Sequence, residues 1–176
     1  MFLPSRRILA AAAGAIVVAI VVFALTAVAA VRHNRDTVDR PQLSVAVDRT
    51  LRYVGPYLFC DDVAKRQCDP QRTPADIPVE AGQSIIVSLP DYISKRPWDV
   101  SVQYLYPNGN STITSTPHLT PGESLIILKS TRQAMVAQIE LHVPSAVQDT
   151  FGNLISQAVW AIDTLPPGYA PESQRS

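Results

Sequence analysis

Two cysteines, three histidines and three lysines in 176 residues leave little material for several kinds of chemistry. Cys60 and Cys68 cannot make a structural zinc site alone, and no further Cys or His ligands stand near them. Seven residues separate them, whereas a redox-active pair usually has two between. His33, His118 and His142 are scattered and form no ligand set along the chain. Without a Gly-x-Ser-x-Gly elbow, a serine hydrolase has no named nucleophile. Positive charge is not gathered either: residues 40–165 carry ten Lys+Arg against twelve Asp+Glu. Phosphate backbones need clustered cations, so a nucleic-acid partner is excluded. Amphipathic helical stretches of useful length are missing too, and this points the fold class away from helices.

What is present begins with one long apolar run. From Ile8 to Val31 there are 24 residues without a charge. As a helix they would span about 36 Å, more than the hydrocarbon core of roughly 30 Å. Arg6 and Arg7 precede the run and favour a cytoplasmic N-terminus, although Arg32 and Arg35 weaken the asymmetry. The expectation is a cytoplasmic segment 1–7, a single-pass transmembrane signal anchor 8–31 in the plasma membrane, and an extracytoplasmic remainder. The alternative is a cleaved signal peptide, for which Ala27-Val28-Ala29 offers small residues at the required spacing. The run is long for a secretory core, which favours the anchor. Residues 32–41 are polar and read as a tether. Residues 166–176 have nothing to bury and read as a disordered tail.

Residues 42–165 carry strand signals throughout. Ile85, Val87 and Leu89 alternate with Ser84 and Ser88. Trp98, Val100, Val102, Tyr104 and Tyr106 alternate with Asp99, Ser101 and Gln103, and Pro107-Asn108-Gly109-Asn110 then supplies a turn. Ala137, Ile139, Leu141 and Val143 alternate with Gln138, Glu140 and His142. Gln42–Val47, Leu51–Phe59 and Ala158–Asp163 are further strands, and Gly55-Pro56 interrupts the second of them. Leu125–Leu128 is a continuous apolar run and reads as fully buried. Together with fifteen scattered prolines, these segments argue for an all-β fold, an antiparallel immunoglobulin-like β-sandwich of about seven strands behind one transmembrane helix. A barrel is the main alternative.

Few residue groups suggest a site. Cys60 and Cys68, an even pair in an exported domain, are expected to form a disulfide. Asp61, Asp62 and Asp69 could hold calcium through hard oxygen ligands, but a solvated acidic loop is the plainer reading and no EF-hand spacing is present. His142 falls on the polar face of its strand. Asn110-Ser111-Thr112 fits a glycosylation acceptor and equally an ordinary hairpin. Trp98 and Trp160 share faces with aliphatic residues, which favours core packing over a ligand groove. These residues yield no catalytic, cofactor-binding or metal site.

The stretch 79–90, Val-Glu-Ala-Gly-Gln-Ser-Ile-Ile-Val-Ser-Leu-Pro, followed by Pro97-Trp98 and a strand reaching Tyr104, resembles an actinobacterial family. Asp149-Thr150-Phe151-Gly152-Asn153-Leu154-Ile155 and Val159-Trp160-Ala161-Ile162 extend the likeness. The family comprises small membrane-anchored extracytoplasmic proteins of mycobacteria and their relatives, with a domain of unknown function. The resemblance implies lineage and location, and brings no catalytic residue. The expected function is a non-enzymatic binding or interaction module of the cell envelope, meeting an envelope protein, glycan or lipid. The alternative is a small envelope enzyme or lipid/glycan carrier whose pocket forms only on folding.

Overall fold

The computed structural model describes residues 40–169. The apolar run 8–31, residues 32–39 of the tether and the last seven residues of the tail lie outside the described residues. Among the described residues, no helix is long and apolar enough to cross a membrane.

Among the described residues, eleven strands and one short helix follow in order: β1 (Leu43–Val47), β2 (Thr50–Val54), β3 (Leu58–Asp62), β4 (Gln67–Cys68), β5 (Ala75–Asp76), β6 (Ser84–Ser88), α1 (Asp91–Ser94), β7 (Trp98–Leu105), β8 (Ser111–His118), β9 (Leu125–Lys129), β10 (Met135–Gln148) and β11 (Leu154–Asp163). They form a four-stranded sheet, β2-β1-β6-β9, and a seven-stranded sheet, β4-β3-β11-β10-β7-β8, with β5 added beside β11. Only the β5–β11 pairing is parallel; the others are antiparallel.

Alternation produces the core. Leu43, Val45, Val47, Ile85 and Val87 from the smaller sheet meet Trp98, Val100, Val102, Ile139, Leu141, Val143, Trp160 and Ile162 from the larger one in a single buried cluster. Both tryptophans are buried, as their strand faces imply. In α1, Ile93 is fully buried, while Tyr92 sits 5.7 Å from Phe59 and 6.4 Å from Trp160, ring centre to ring centre. The most interior strand is β11. It has β10 on one side and β3 and β5 on the other, and every residue from Ala158 to Ile162 is buried.

Two local readings of the sequence are corrected, and one strand is added. Leu51–Phe59 is not one interrupted strand: β2 and β3 lie in different sheets, and Gly55-Pro56 carries the chain between them. Proline has no N–H to give a ladder, and the pairing resumes at Tyr57, whose N–H donates to the Val159 carbonyl. The run Leu125–Leu128 is not buried throughout. Ile126 and Leu128 pack on the core, but Leu125 is 52% and Ile127 60% exposed, because β9 is the edge of a sheet covered on one face only. Finally, Ser111–His118 is a full strand whose mostly Ser and Thr side chains carry no burial period, since it too is an edge.

Candidate functional site

Three surfaces gather the side chains capable of chemistry or recognition. The first surrounds the disulfide. Cys60 and Cys68 stand opposite each other in the β3–β4 ladder and are bonded. Arg40 donates to both Asp61 oxygens, at 2.6 and 2.9 Å, and to both Asp69 oxygens, at 2.9 and 3.0 Å, while lying 4.3 Å over the Phe59 ring. Lys65 pairs with Asp62 at 3.0 Å. The Arg40 hydrogen bonds hold the Asp61 carboxyl below the ordinary aspartate range, and Lys65 does the same for Asp62. All three acidic groups are therefore engaged by cations of the protein itself. Next to this clamp, the Trp160 indole N–H donates to the Pro41 carbonyl at 3.1 Å. Arg40 and Pro41, which the polar composition assigns to the tether, are thus docked on the domain.

The second surface is the polar face of the larger sheet. His142 Nδ1 lies 3.3 Å from the Ser156 hydroxyl, and Nε2 lies 3.3 Å from Glu140 Oε2. Register places Asp99 directly across from His142 and Ser101 across from Glu140. Burial pushes the Asp99 carboxyl up from its ordinary value, and the charge of His142 opposes that rise. The order hydroxyl, imidazole, carboxylate matches a hydrolase relay. The site around it does not, because Glu140 is 39% exposed and the central-strand amides beside it are committed to the ladders with β7 and β11.

The third surface is apolar. On the outer face of the smaller sheet, one cross-strand row reads Leu51, Ala46, Ile86, Ile127, and the next reads Tyr53, Ser44, Ser88, Leu125. Ladder partners share a face, so Leu51, Tyr53, Ile86, Leu125 and Ile127 all point to solvent together. Around one edge of this sheet, an open groove of about 340 Å³ runs beneath β2. Val45, Val47 and Ile77 floor it, and Arg52 and Glu80 stand at its rim.

A family model described as protein of unknown function (DUF2771) matches residues 36–165. The chain belongs to this family. Uncharacterized proteins of Mycobacterium tuberculosis and Mycobacterium bovis are 32% identical to it over 75 residues, which is 43% of this chain and 46% of theirs. The match thus spans a little under half the length of these curated relatives. No solved structure matches the chain. The matched region contains all three surfaces.

Of the residues singled out in the sequence, Cys60 and Cys68 are joined, His142 lies on the polar face, and Trp98 and Trp160 lie in the core. Trp98 is further covered by the His118 ring, stacked at 3.8 Å. The apolar outer face is scattered over three separate segments of the sequence, β2, β6 and β9. One signal for it exists: Ile86 interrupts the alternation of β6, an aliphatic side chain at a position that should face water.

Proposed function

We propose that the chain is a membrane-held interaction module of the bacterial cell envelope, an immunoglobulin-like sandwich standing outside the plasma membrane on the anchor 8–31. The observation that carries the reading is the exposed row of Leu51, Ile86 and Ile127 with Tyr53 and Leu125 beside it. A sheet face open to water ordinarily alternates to polar residues, and contiguous apolar side chains there mark an interaction surface. The bonded cysteine pair supports an oxidising compartment. Two antiparallel sheets around one core support the sandwich, and the uncharged 24-residue run supports the anchor. The partner is an envelope protein, glycan or lipid, and the protein performs no catalysis.

A photoreactive amino acid at position 127, compared with one at Gln103 on the other sheet, tests this in intact cells. The expected result is a defined adduct from position 127 and none from 103. Equal labelling at both positions, or none at either, removes the reading.

A second reading rests on the Ser156, His142 and Glu140 chain: a small envelope hydrolase. Its trial is labelling by a fluorophosphonate probe, with Ser156→Ala as control. Labelling lost on that substitution would establish the enzyme, and an unlabelled wild-type chain would dismiss it.

A further inference from the structure

The hairpin of β10 and β11 runs on past its pairings with β7 and β3. Pairing with β7 ends at His142 opposite Asp99, and β3 meets β11 only at Val159 and Ala158. Beyond those points, residues 144–157 continue as a two-stranded arm. Asp149 closes its tip, accepting from the backbone N–H of Phe151 and of Asn153, both at 2.8 Å, and from the Asn153 side chain at 3.1 Å. Gly152 takes a φ of 86° within the turn, a conformation that side chains resist. The result is a braced loop that holds Phe151 out, 88% exposed, with Leu154 and Ile155 exposed behind it. In the whole of 144–157, Asp149 is the single ionisable residue.

The chain enters the fold from the side of this arm. Arg40 lies over Phe59, whose register partner is Ala158, and Pro41 lies at Trp160, so the numbering rises away from the tip. From Ala158 to Leu154 the strand rises about 13 Å at 3.3 Å per residue, and the turn 149–153 carries Phe151 beyond it. Residues 32–39, the link from the apolar run to Arg40, reach at most about 28 Å when fully extended. If 8–31 is an anchor, an arm on the side where the chain enters can reach the headgroups whenever the link is short of full extension.

Resting on the reading of 8–31 as a retained anchor, we propose that the β10–β11 hairpin tip is a second membrane contact, which inserts Phe151, Leu154 and Ile155 into the interface of the leaflet facing the domain. Three side chains on a narrow loop fall far short of the roughly 800 Å² per partner that a stable protein interface needs. A bilayer asks for no such area, because the tether already holds the domain at high local concentration and a weak contact suffices. Interfacial insertion also suits a segment with almost no charge to dehydrate.

The experiment uses the full-length chain reconstituted in phosphatidylcholine and phosphatidylglycerol vesicles with brominated acyl chains, carrying Phe151→Trp as reporter. Trp98 and Trp160 are buried and contribute a constant background. Ile113→Trp is the control, on an exposed site of β8 opposite Gln103 and away from the arm. The expected result is a blue shift and loss of most of the added emission for Phe151→Trp, with Ile113→Trp unaffected. Unchanged emission from Phe151→Trp while the chain floats with the vesicles overturns the insertion alone, as does equal quenching at both positions. A chain that fails to float with the vesicles overturns the anchor, and the insertion with it.

Discussion

Arg40 ties together parts of the chain that are far apart in sequence. Its guanidinium reaches Asp61 and Asp69 and covers Phe59, so the first docked residue is bound to the cystine hairpin. The two carboxylates hold its pKa above the ordinary arginine value. Arg40→Ala should lower stability by about 1 kcal/mol in urea denaturation, a modest figure because Asp61 is open to solvent. No change would mean that the clamp forms without contributing. Asp99 acts in the opposite sense from the clamped aspartates. Its folded pKa is raised, so the folded state binds the proton more tightly than the unfolded chain does, and the ionised form is a cost near neutrality. Asp99→Asn should therefore raise the melting temperature at neutral pH. The gain should shrink as pH falls through the raised value toward the ordinary aspartate range near about 3.9, where the native carboxyl is protonated anyway. Asp61 and Asp62 have lowered values, so their contribution is present above the ordinary range and lost on acidification. Melting curves across that window separate the two signs, and a gain for Asp99→Asn that grows on acidification would contradict the assignment.

At the scale of the element, legibility followed burial. β6, β7 and β10 show a period of two because one face of each meets the core, and their side chains alternate accordingly. β8 has no period to read, since the larger sheet ends there and nothing covers its Thr and Ser side chains. β9 misleads for the opposite reason: four apolar residues in a row describe a strand buried on two faces, yet half of them face water. The β3–β4 hairpin is different again. It is anchored by two-residue β4 and is mostly exposed, so packing alone holds it weakly. Replacing both Cys60 and Cys68 by Ser should cost about 2–3 kcal/mol in the chain-entropy view of a short closed loop. Hydrogen exchange should show the loss concentrated in residues 60–68, with β10 and β11 still protected near the global limit. Uniform loss of protection would show that the hairpin is part of the main cooperative unit.

For the whole molecule, the disulfide was legible because it needs only composition and compartment, whereas the recognition surface was not. Leu51, Ile86 and Ile127 lie in three separate segments, and only the register of β2, β1, β6 and β9 brings them into one row. The same holds for Ser156, which meets His142 through the β10–β11 pairing and an irregularity at Pro144. Neighbouring substitutions on β9 can establish which face of the smaller sheet is free. Ile126 packs on the core and Ile127 points outward, so the two differ in environment while sharing residue type, strand and propensity. Ile126→Lys should destabilise by about 2–3 kcal/mol, because a charge must be taken into the core or the strand displaced. Ile127→Lys should change stability by no more than about 0.5 kcal/mol. Urea denaturation of both variants is the measurement. If Ile127→Lys destabilises as much as Ile126→Lys, the outer face is covered within the chain itself, and the apolar row belongs to the fold rather than to a partner.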